Sequence, residues 1–325
     1  MIEVIFFKGI SLLTPATSAT HKKLFCFGFG YTAGFLAGRL MAKGWQIAGT
    51  TTSIKKRDLL KKSGVEAMLF DRTHPIANPE RTFADVTHML FSVPPDASGD
   101  PVFDMHGGDI AAMTSLEWAG YLSTTAVYGN QDGSWVDEET PPAPASKRGS
   151  QRLKAEEQWQ SLYLNEGLPL HIFRCAGIYG PGRSALDVVR AGQARCIDKP
   201  GHMFNRIHVE DIAQTLEASI ARPRPGAIYN LADDAPSPSH AVIGFACNLI
   251  GAETPPLVPY ESADLAPIVR SFYKDNKRVR NDAIKGELGV QLLYPDYHSG
   301  LKACLAIEQE TSDLLKLSDT LPEAE

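Results

Sequence analysis

The sequence predicts an α/β protein with a doubly wound parallel sheet and a smaller C-terminal lobe. Three observations support this fold class: short apolar runs alternate with helical segments over residues 23–180, a glycine-rich turn follows the first run, and proline-rich stretches interrupt the pattern later. Alternating strands and helices favour parallel pairing, because each helix returns the chain to the start of the next strand. With 325 residues and 43% hydrophobic content, the chain can form one large core or two coupled lobes.

Each predicted strand of the first half is a short apolar run bounded by turn residues. The predicted strands are residues 24–29, 46–50, 67–70, 87–93, 118–123 and 168–174, and the predicted helices between them are residues 33–43, 56–63 and 150–165. In the second half, helices are predicted at 185–194, 211–221 and 239–251 and a strand at 227–231.

The turn after the first strand reads Gly28-Phe29-Gly30-Tyr31-Thr32-Ala33. It matches G-x-G-x-x-[GA], the pattern of a dinucleotide site in a Rossmann-type fold. Gly28 permits the tight turn, Gly30 lets the backbone approach a pyrophosphate, and Ala33 lets helix and strand pack closely. The pyrophosphate would lie at the positive end of the helix dipole. The sequence predicts that this loop, including Tyr31 and Thr32, binds NADP or NAD; the alternative is a glycine-rich turn without a ligand.

The end of the second strand favours NADP over NAD. Hydroxyl residues and cations follow one another there as Thr50, Thr51, Thr52, Ser53, Lys55, Lys56 and Arg57. An Asp or Glu at this position would accept hydrogen bonds from the ribose 2′-hydroxyl and favour NAD. Hydroxyls and cations can hold a 2′-phosphate instead, so Thr51, Thr52, Ser53, Lys55 and Arg57 are predicted contacts. The alternative is that the cations are the solvated start of a helix.

Two further strand ends should face the cofactor. Asp71 ends the third strand and either meets the adenine edge or holds a surface turn. Ser92, Val93 and Pro94 end the fourth strand and should lie beside the cofactor, since ligands bind outside the carboxyl ends of such strands.

The predicted organisation is an extension at 1–22, a dinucleotide-binding Rossmann domain at 23–180, a mixed region at 181–309 that completes the sheet and forms the substrate lobe, and a frayed acidic tail at 310–325.

Composition argues against several other classes of function. The net charge of -6 argues against nucleic acid as a partner, because phosphate backbones require a basic face. No apolar run approaches the roughly 20 residues of a membrane span. The five cysteines are scattered and form no CxxC pair, so neither disulfides nor a metal site are expected. Because the apolar start is interrupted by Glu3 and Lys8, it does not read as a signal peptide, and a cytoplasmic location is expected.

Three later stretches resemble motifs of the extended short-chain dehydrogenases/reductases. Residues 123–129 read S-T-T-A-V-Y-G, residues 174–182 read R-C-A-G-I-Y-G-P-G, and residues 206–211 read R-I-H-V-E-D. They resemble that family's S-[ST]-x-x-V-Y-G, R-x-x-x-x-Y-G-P-G and R-x-H-V-x-D segments. The resemblance implies the NAD-dependent epimerase/dehydratase class, whose usual small-molecule substrates are nucleotide sugars. It also implies a possible homodimer.

The resemblance assigns roles to several residues. Thr124 matches the hydroxyl residue that orients the reacting substrate oxygen. Tyr179, Arg183 and Arg206 are predicted to bind substrate, the two arginines as ligands of a diphosphate. Tyr128 is a further catalytic candidate, with simple packing as its alternative.

The chain departs from the family at its acid/base pair. The family uses Y-x-x-x-K on the helix after the V-Y-G strand, and here Arg148 and Arg152 occupy those positions. Arginine stays protonated in proteins, so neither residue can shuttle a proton; both are predicted to bind the cofactor ribose or phosphate, or an anionic substrate. His208 is the best remaining titratable candidate for proton transfer, and its alternative is a structural histidine.

Three functions therefore remain open at this stage. The first is an NAD(P)-dependent oxidoreductase or epimerase acting on a nucleotide sugar or a similar polar carbonyl or hydroxyl compound. The second is a non-catalytic NAD(P)-binding sensor or regulatory protein, which the atypical active site would suit. The third is a flavin-dependent or NAD-independent protein that uses the same loop.

Overall fold

Seven parallel strands form the main sheet of the computed structural model, which describes residues 22–319 and the side chains of residues 22–313. In chain order the strands are β1 (Lys23–Phe27), β2 (Gln46–Thr51), β3 (Glu66–Leu69), β4 (His88–Phe91), β5 (Trp118–Thr124), β6 (Trp135–Val136), β7 (Leu170–Cys175), β8 (Gly177–Tyr179), β9 (Cys196–Asp198), β10 (Arg206–His208), β11 (Ile228–Leu231), β12 (Leu257–Pro259) and β13 (Arg278–Val279). The sheet order is β3-β2-β1-β4-β5-β7-β11, with every neighbouring pair parallel. The predicted doubly wound sheet is confirmed.

Helices connect successive strands of the sheet, as parallel pairing requires. They are α1 (Tyr31–Met41), α2 (Ile54–Lys62), α3 (Pro79–Phe83), α4 (Pro101–Ala111), α5 (Lys147–Glu166), α6 (Ala185–Arg190), α7 (Val209–Ala221), α8 (Ser239–Leu249), α9 (Pro267–Phe272), α10 (Asp282–Gly286) and α11 (Tyr297–Asp319), with a 3₁₀ turn at Thr125–Tyr128. The chain runs from β1 outward to β3 and then returns to β4 on the other side of β1. This reversal creates a switch point between the carboxyl ends of β1 and β4.

Both faces of the sheet are covered, because successive strand residues point to opposite sides. On one face Leu24 of β1 packs with Leu36 of α1, and on the other face Phe25 packs in a cluster with Phe83 and Trp159. A separate apolar cluster joins α6, α8 and α11 in the smaller lobe. All five cysteines are buried free thiols.

Helices α5 and α4 are among those that differ from the sequence-based expectation. Helix α5 begins at Lys147 rather than at residue 150, because Oγ of Ser146 accepts the N–H of Gly149 over 3.1 Å and caps the helix. Helix α4 was not predicted, since Gly107 and Gly108 lower its helix propensity. Its start signal was nevertheless in the sequence: Asp100 caps the helix, and the next residue is a proline.

The C-terminal segment also differs from the prediction. Helix α11 continues to Asp319 instead of ending near residue 309, where the frayed tail was expected to begin. The helix is anchored by buried Leu301 and Cys304, and extending a formed helix costs far less than starting one. Residues 1–21 of the predicted extension lie outside the described residues. Within the described part, no helix is both long and apolar enough to cross a membrane.

Candidate functional site

The loop after β1 is held in a left-handed turn by the end of β2. Gly28 has a φ of +82°, a conformation that residues with a side chain rarely adopt. Its N–H donates to Oγ1 of Thr50 over 2.9 Å, and the N–H of Phe29 donates to the carbonyl oxygen of Thr50 over 2.6 Å. Thr50 is therefore a site residue that sequence reasoning missed, although a hydroxyl residue at the end of the adjacent strand was an available signal.

The loop leaves room for a ligand next to the Cα atom of Gly30 but none next to that of Gly28. A Cβ atom on Gly28 would lie 3.0 Å from Cγ2 of Val93, whereas a Cβ atom on Gly30 would meet nothing closer than Oγ of Ser92 at 3.8 Å. Gly30 also precedes α1, and no side-chain hydrogen bond caps that helix. Uncapped amide groups at a helix start are a general anion-binding arrangement. These residues fit the diphosphate of a dinucleotide.

A cleft of about 610 Å³ opens in front of the loop. Its walls are the glycine loop, the end of β2, the turn after β3 and the segment after β4. Of the predicted cofactor contacts, the residues that line it are Gly28, Gly30, Thr51, Thr52, Asp71, Ser92, Val93 and Pro94. Residues from four separate strand ends thus meet in one cleft at the switch point.

The three loop residues that follow Gly30 do not line the cleft. Thr32 and Ala33 are buried, and the 0% exposure of Ala33 reflects the close packing of α1 against the sheet. The hydroxyl of Tyr31 donates to the carbonyl oxygen of Pro181 over 3.0 Å and ties the loop to the Y-G-P-G segment. The side chains of these residues thus have packing and bridging roles, and their predicted part in cofactor binding would depend on the backbone of the loop.

Two cations of the described residues line the cleft, Lys56 and Arg72, and burial lowers the pKa of Lys56. Neither Lys55 nor Arg57 lines the cleft, and Arg57 forms an ion pair with Asp58 (Nη2–Oδ1, 2.7 Å). Ser53 caps α2 by accepting the N–H of Lys56. Lys55, Arg57 and Ser53 thus stay predicted contacts that do not line the cleft, whereas Lys56, which was not among the predicted contacts, does line it.

Asp71 holds the turn after β3. Its Oδ1 accepts the hydroxyl of Thr73 (2.6 Å) and the N–H groups of Thr73 (2.7 Å) and His74 (3.0 Å), and these bonds lower the pKa of the carboxyl group. The neighbouring Arg72, which sequence reasoning missed, donates from Nε to Oδ2 of Asp96 over 2.6 Å. This ion pair joins the turns after β3 and β4 across one end of the cleft. Asp71 both lines the cleft and holds a turn, so the two alternatives are compatible.

Thr124 ends β5 and is half-buried. Its Oγ1 accepts the N–H of Ala126 over 3.2 Å at the start of the 3₁₀ turn. This bond orients the side chain and leaves its hydroxyl proton for donation to another group. The geometry is compatible with the predicted orientation of a substrate oxygen.

Tyr128 belongs to a buried polar network behind the site. Its hydroxyl donates to Oδ1 of Asn230 over 2.8 Å and accepts from Nη1 of Arg174 over 3.0 Å. Arg174 pairs with Glu156 (Nη2–Oε2, 2.7 Å), which also accepts the hydroxyl of Ser123. Burial raises the pKa of Tyr128, and the side chain is fully enclosed. These contacts favour the packing alternative for Tyr128 over the catalytic one.

His208 is also enclosed within the protein. Its Nδ1 accepts the N–H of Glu210 over 3.2 Å and caps α7, while Nε2 lies 3.8 Å from Sγ of Cys304. The ring of Tyr294 covers it at a centroid distance of 4.0 Å. Burial lowers the pKa of His208 to about 4. These contacts favour the structural alternative for His208 over proton transfer, since its ring is enclosed and caps a helix.

Arg148 and Arg152 lie one turn apart near the start of α5. Nη1 of Arg152 donates to the carbonyl oxygen of Leu122 over 2.6 Å, at a point of β5 beyond the paired end of β4. Its guanidinium also lies over the ring of Tyr121, 5.6 Å from the centroid. Arg148 is exposed.

A second cavity, of about 380 Å³, contains all three predicted substrate ligands among its lining residues, namely Tyr179, Arg183 and Arg206. Arg206 is half-buried, and its Nη1 donates to the carbonyl oxygens of Phe204 and Ser237, both over 3.1 Å. Arg183 covers the ring of Tyr31 at 5.6 Å, so this cavity adjoins the first helix of the cofactor cleft.

The sheet order, the glycine cradle and the cleft define the class of the protein: an α/β protein with a Rossmann-type fold that supports NAD(P) binding. No family model matches the sequence. A conserved protein of unknown function from Silicibacter pomeroyi shares 50% identity over 88% of this chain and 98% of that chain, with a TM-score of 0.82.

Two further solved structures extend the comparison. A protein provisionally assigned as an NAD-dependent epimerase/dehydratase, from Methylobacillus flagellatus, shares 26% identity over 89% of this chain and 100% of that chain, with a TM-score of 0.65. The dTDP-glucose 4,6-dehydratase of Bacillus anthracis, solved in complex with NAD, shares the fold at 16% identity over 90% of this chain and 98% of that chain, with a TM-score of 0.70. The chain is thus similar to proteins of the NAD-dependent epimerase/dehydratase class, and the resemblance found in the sequence is confirmed.

Proposed function

We propose that the protein binds NADP in preference to NAD and acts as an oxidoreductase or epimerase on a nucleotide sugar or a related polar carbonyl or hydroxyl compound. The observation that carries the cofactor preference is the end of β2, where Thr51, Thr52 and Lys56 line the cleft and no carboxylate stands between them. A carboxylate there would repel a 2′-phosphate, whereas a cation and two hydroxyls attract it. A bound nicotinamide supplies hydride transfer, and the protein supplies orientation.

The second cavity supports a substrate that carries phosphate. Arg183 and Arg206 both line it, and arginine matches the geometry of phosphate oxygens with paired donors. Thr124 lies at the carboxyl end of β5, two strands from the glycine loop, with a hydroxyl proton directed by its bond to Ala126. We therefore assign substrate orientation to Thr124 and phosphate binding to the two arginines.

Calorimetric titration with NADP and NAD tests the cofactor assignment. Replacing Lys56 by alanine should weaken NADP binding about tenfold, because a charge-assisted hydrogen bond contributes roughly 1.5–3 kcal/mol. NAD binding should remain unchanged. The matched control is Lys62→Ala at the other end of α2, which should affect neither cofactor. Equal affinity of the wild-type chain for both cofactors would refute the preference, and absence of any dinucleotide binding would refute the proposed function.

Replacing Thr124 by alanine tests the catalytic part of the proposal. Loss of a donor that orients and polarises the reacting oxygen should lower kcat by about 10²–10³. Thr124→Ser keeps the hydroxyl and should retain most of the activity. The measurement is turnover of reduced nicotinamide, or epimer exchange, with a panel of nucleotide sugars and polar carbonyl compounds.

A non-catalytic NAD(P)-binding sensor is the second candidate function. Two points favour it: by the resemblance, Arg148 and Arg152 take the positions of the family's acid/base pair, and both His208 and Tyr128 are enclosed. This function requires cofactor binding that changes association with another protein, without turnover. Steady-state turnover by the purified chain would eliminate it, and loss of all turnover across the panel with cofactor binding intact would support it.

A further inference from the structure

By the resemblance, Arg148 takes the position of the family's tyrosine, which acts as the acid/base residue. An arginine stays protonated and cannot exchange a proton there. We propose that Arg148 binds an anionic oxygen group of the substrate, a carboxylate or a phosphate, next to the reacting carbon. The substrate class is then an anionic carbonyl or hydroxyl compound with its charge close to the site of hydride transfer. This inference rests on the proposed function and deepens it.

The contacts of helix α5 define the direction that Arg148 faces. Nε2 of Gln151 donates to the carbonyl oxygen of Asp96, in the segment after β4, over 2.6 Å. Nη1 of Arg152 donates to the carbonyl oxygen of Leu122 in β5 over 2.6 Å. Residues three and four positions apart lie on the same face of a helix. Arg148 is therefore on the face between these two contacts, toward the gap between the ends of β4 and β5.

The start of α5 is also close to the turn that follows Thr124. A Cβ atom on Gly149 would lie 2.8 Å from the carbonyl oxygen of Ala126, so only a glycine lets the helix approach this closely. The N–H of Ala126 is the group that orients Thr124. Arg148 and the Thr124 hydroxyl thus flank the same turn, which allows one small substrate to contact both.

The charges around Arg148 favour an anion. Among residues 22–313 no carboxylate lies within ion-pair distance of Arg148, and the first turn of α5 has no acidic residue. Arg152 adds a second positive charge one turn further on. Glu156, the acidic residue on the same helix face, is already paired with Arg174. An arginine fork binds a carboxylate or phosphate through two parallel hydrogen bonds and stays charged at every working pH.

Calorimetry of the full chain saturated with NADP tests this inference, with oxamate and inorganic phosphate as probes. Oxamate is an unreactive carboxylate that resembles a 2-oxo acid. Arg148→Gln should weaken the binding of the preferred probe at least tenfold, and Arg148→Lys should weaken it less, because a single ammonium replaces the fork. The matched control is Lys154→Gln, an exposed position about 200° around the helix from Arg152, which should change nothing.

Three outcomes would overturn the inference. The first is that neither probe binds the NADP-saturated wild-type chain. The second is that the Arg148→Gln variant binds both probes as tightly as the wild type does. The third is that Lys154→Gln weakens probe binding as much as Arg148→Gln does. Thermal unfolding of Arg148→Gln shows whether the variant is folded. Arg148→Lys keeps the positive charge and gives a second, independent measurement of probe binding. Dinucleotide binding without anion binding refutes this inference alone, whereas absence of dinucleotide binding refutes the proposed function as well. The probe that binds more tightly shows whether Arg148 recognises a carboxylate or a phosphate.

Discussion

Two glycines of the loop have different physical requirements. Gly28 needs its left-handed backbone and meets Val93 directly, so any side chain there strains the turn. Gly30 has open space above its Cα atom, so a side chain there leaves the fold intact and occupies the position of the diphosphate. The distinction follows from their neighbours in the loop after β4, a contact between distant parts of the chain.

Gly30→Asp should therefore abolish NAD(P) binding while preserving the folded state. The added carboxylate would both fill the cradle and repel a diphosphate. The control is Gly38→Asp, the same change at an exposed position of α1 with no atom near its Cα substituent. Cofactor titration and thermal unfolding of both variants check this. Undiminished affinity in Gly30→Asp would place the diphosphate elsewhere.

The three consecutive cations after β2 show the limit of sequence reasoning at the residue scale. Lys55, Lys56 and Arg57 have the same charge, and composition alone does not rank them. Successive helix residues point about 100° apart, so only one of the three can face the cleft. The start of α2 at Ile54, capped by Ser53, selects Lys56.

At the scale of elements, apolar periodicity predicted the six principal strands of the first half and most of the helices between them. The missed strands, such as β8, β9 and β10, have only three residues each, which is too short for a detectable period. They form through pairing with distant segments, such as β8 with β10. Helix α4 was hidden by its glycines and is stabilised by packing against α5.

The position of α5 depends on contacts that no local pattern contains. Glu156 on this helix accepts from Ser123 of β5 and from Arg174 of β7, all three buried. Breaking a buried ion pair costs roughly 3–5 kcal/mol, so this network fixes the helix against both strands. It thereby holds the start of α5 against the end of β5 and the turn that follows it, and the rigidity of this region depends on residues that do not touch ligands.

At the scale of the whole molecule, buried histidines should make the protein sensitive to acid. Burial lowers the pKa values of His88, His171, His202 and His208 to about 4, from 6.5 in the unfolded chain. Between pH 6.5 and 4 the unfolded state binds more protons, so the free energy of unfolding falls as the pH falls through this window. Burial raises the pKa of Asp233 to about 7. This carboxyl group therefore has the opposite effect and offsets part of the lost free energy of unfolding.

Chemical denaturation at a series of pH values measures this effect. His202→Phe is the informative variant, because neither ring nitrogen of His202 has a hydrogen-bond partner and its ring packs against Phe204 and Tyr273. Its unfolding free energy should depend less steeply on pH between 4 and 6.5, by up to about 1.4 kcal/mol per pH unit. An unchanged slope would mean that His202 has the same pKa in the folded and the unfolded protein.

The sequence by itself determined the doubly wound sheet, the glycine cradle and the resemblance to the epimerase/dehydratase class, because these depend on short-range patterns of apolar and small residues. It also predicted Arg148 and Arg152 at the positions of that class's acid/base pair, a prediction that depends on residue identity alone. Only the tertiary structure decided which titratable groups are accessible: it enclosed His208 and Tyr128 and selected Lys56. Accessibility depends on contacts between segments far apart in the chain, such as His208 with Cys304 and Tyr128 with Asn230, and no local pattern encodes them.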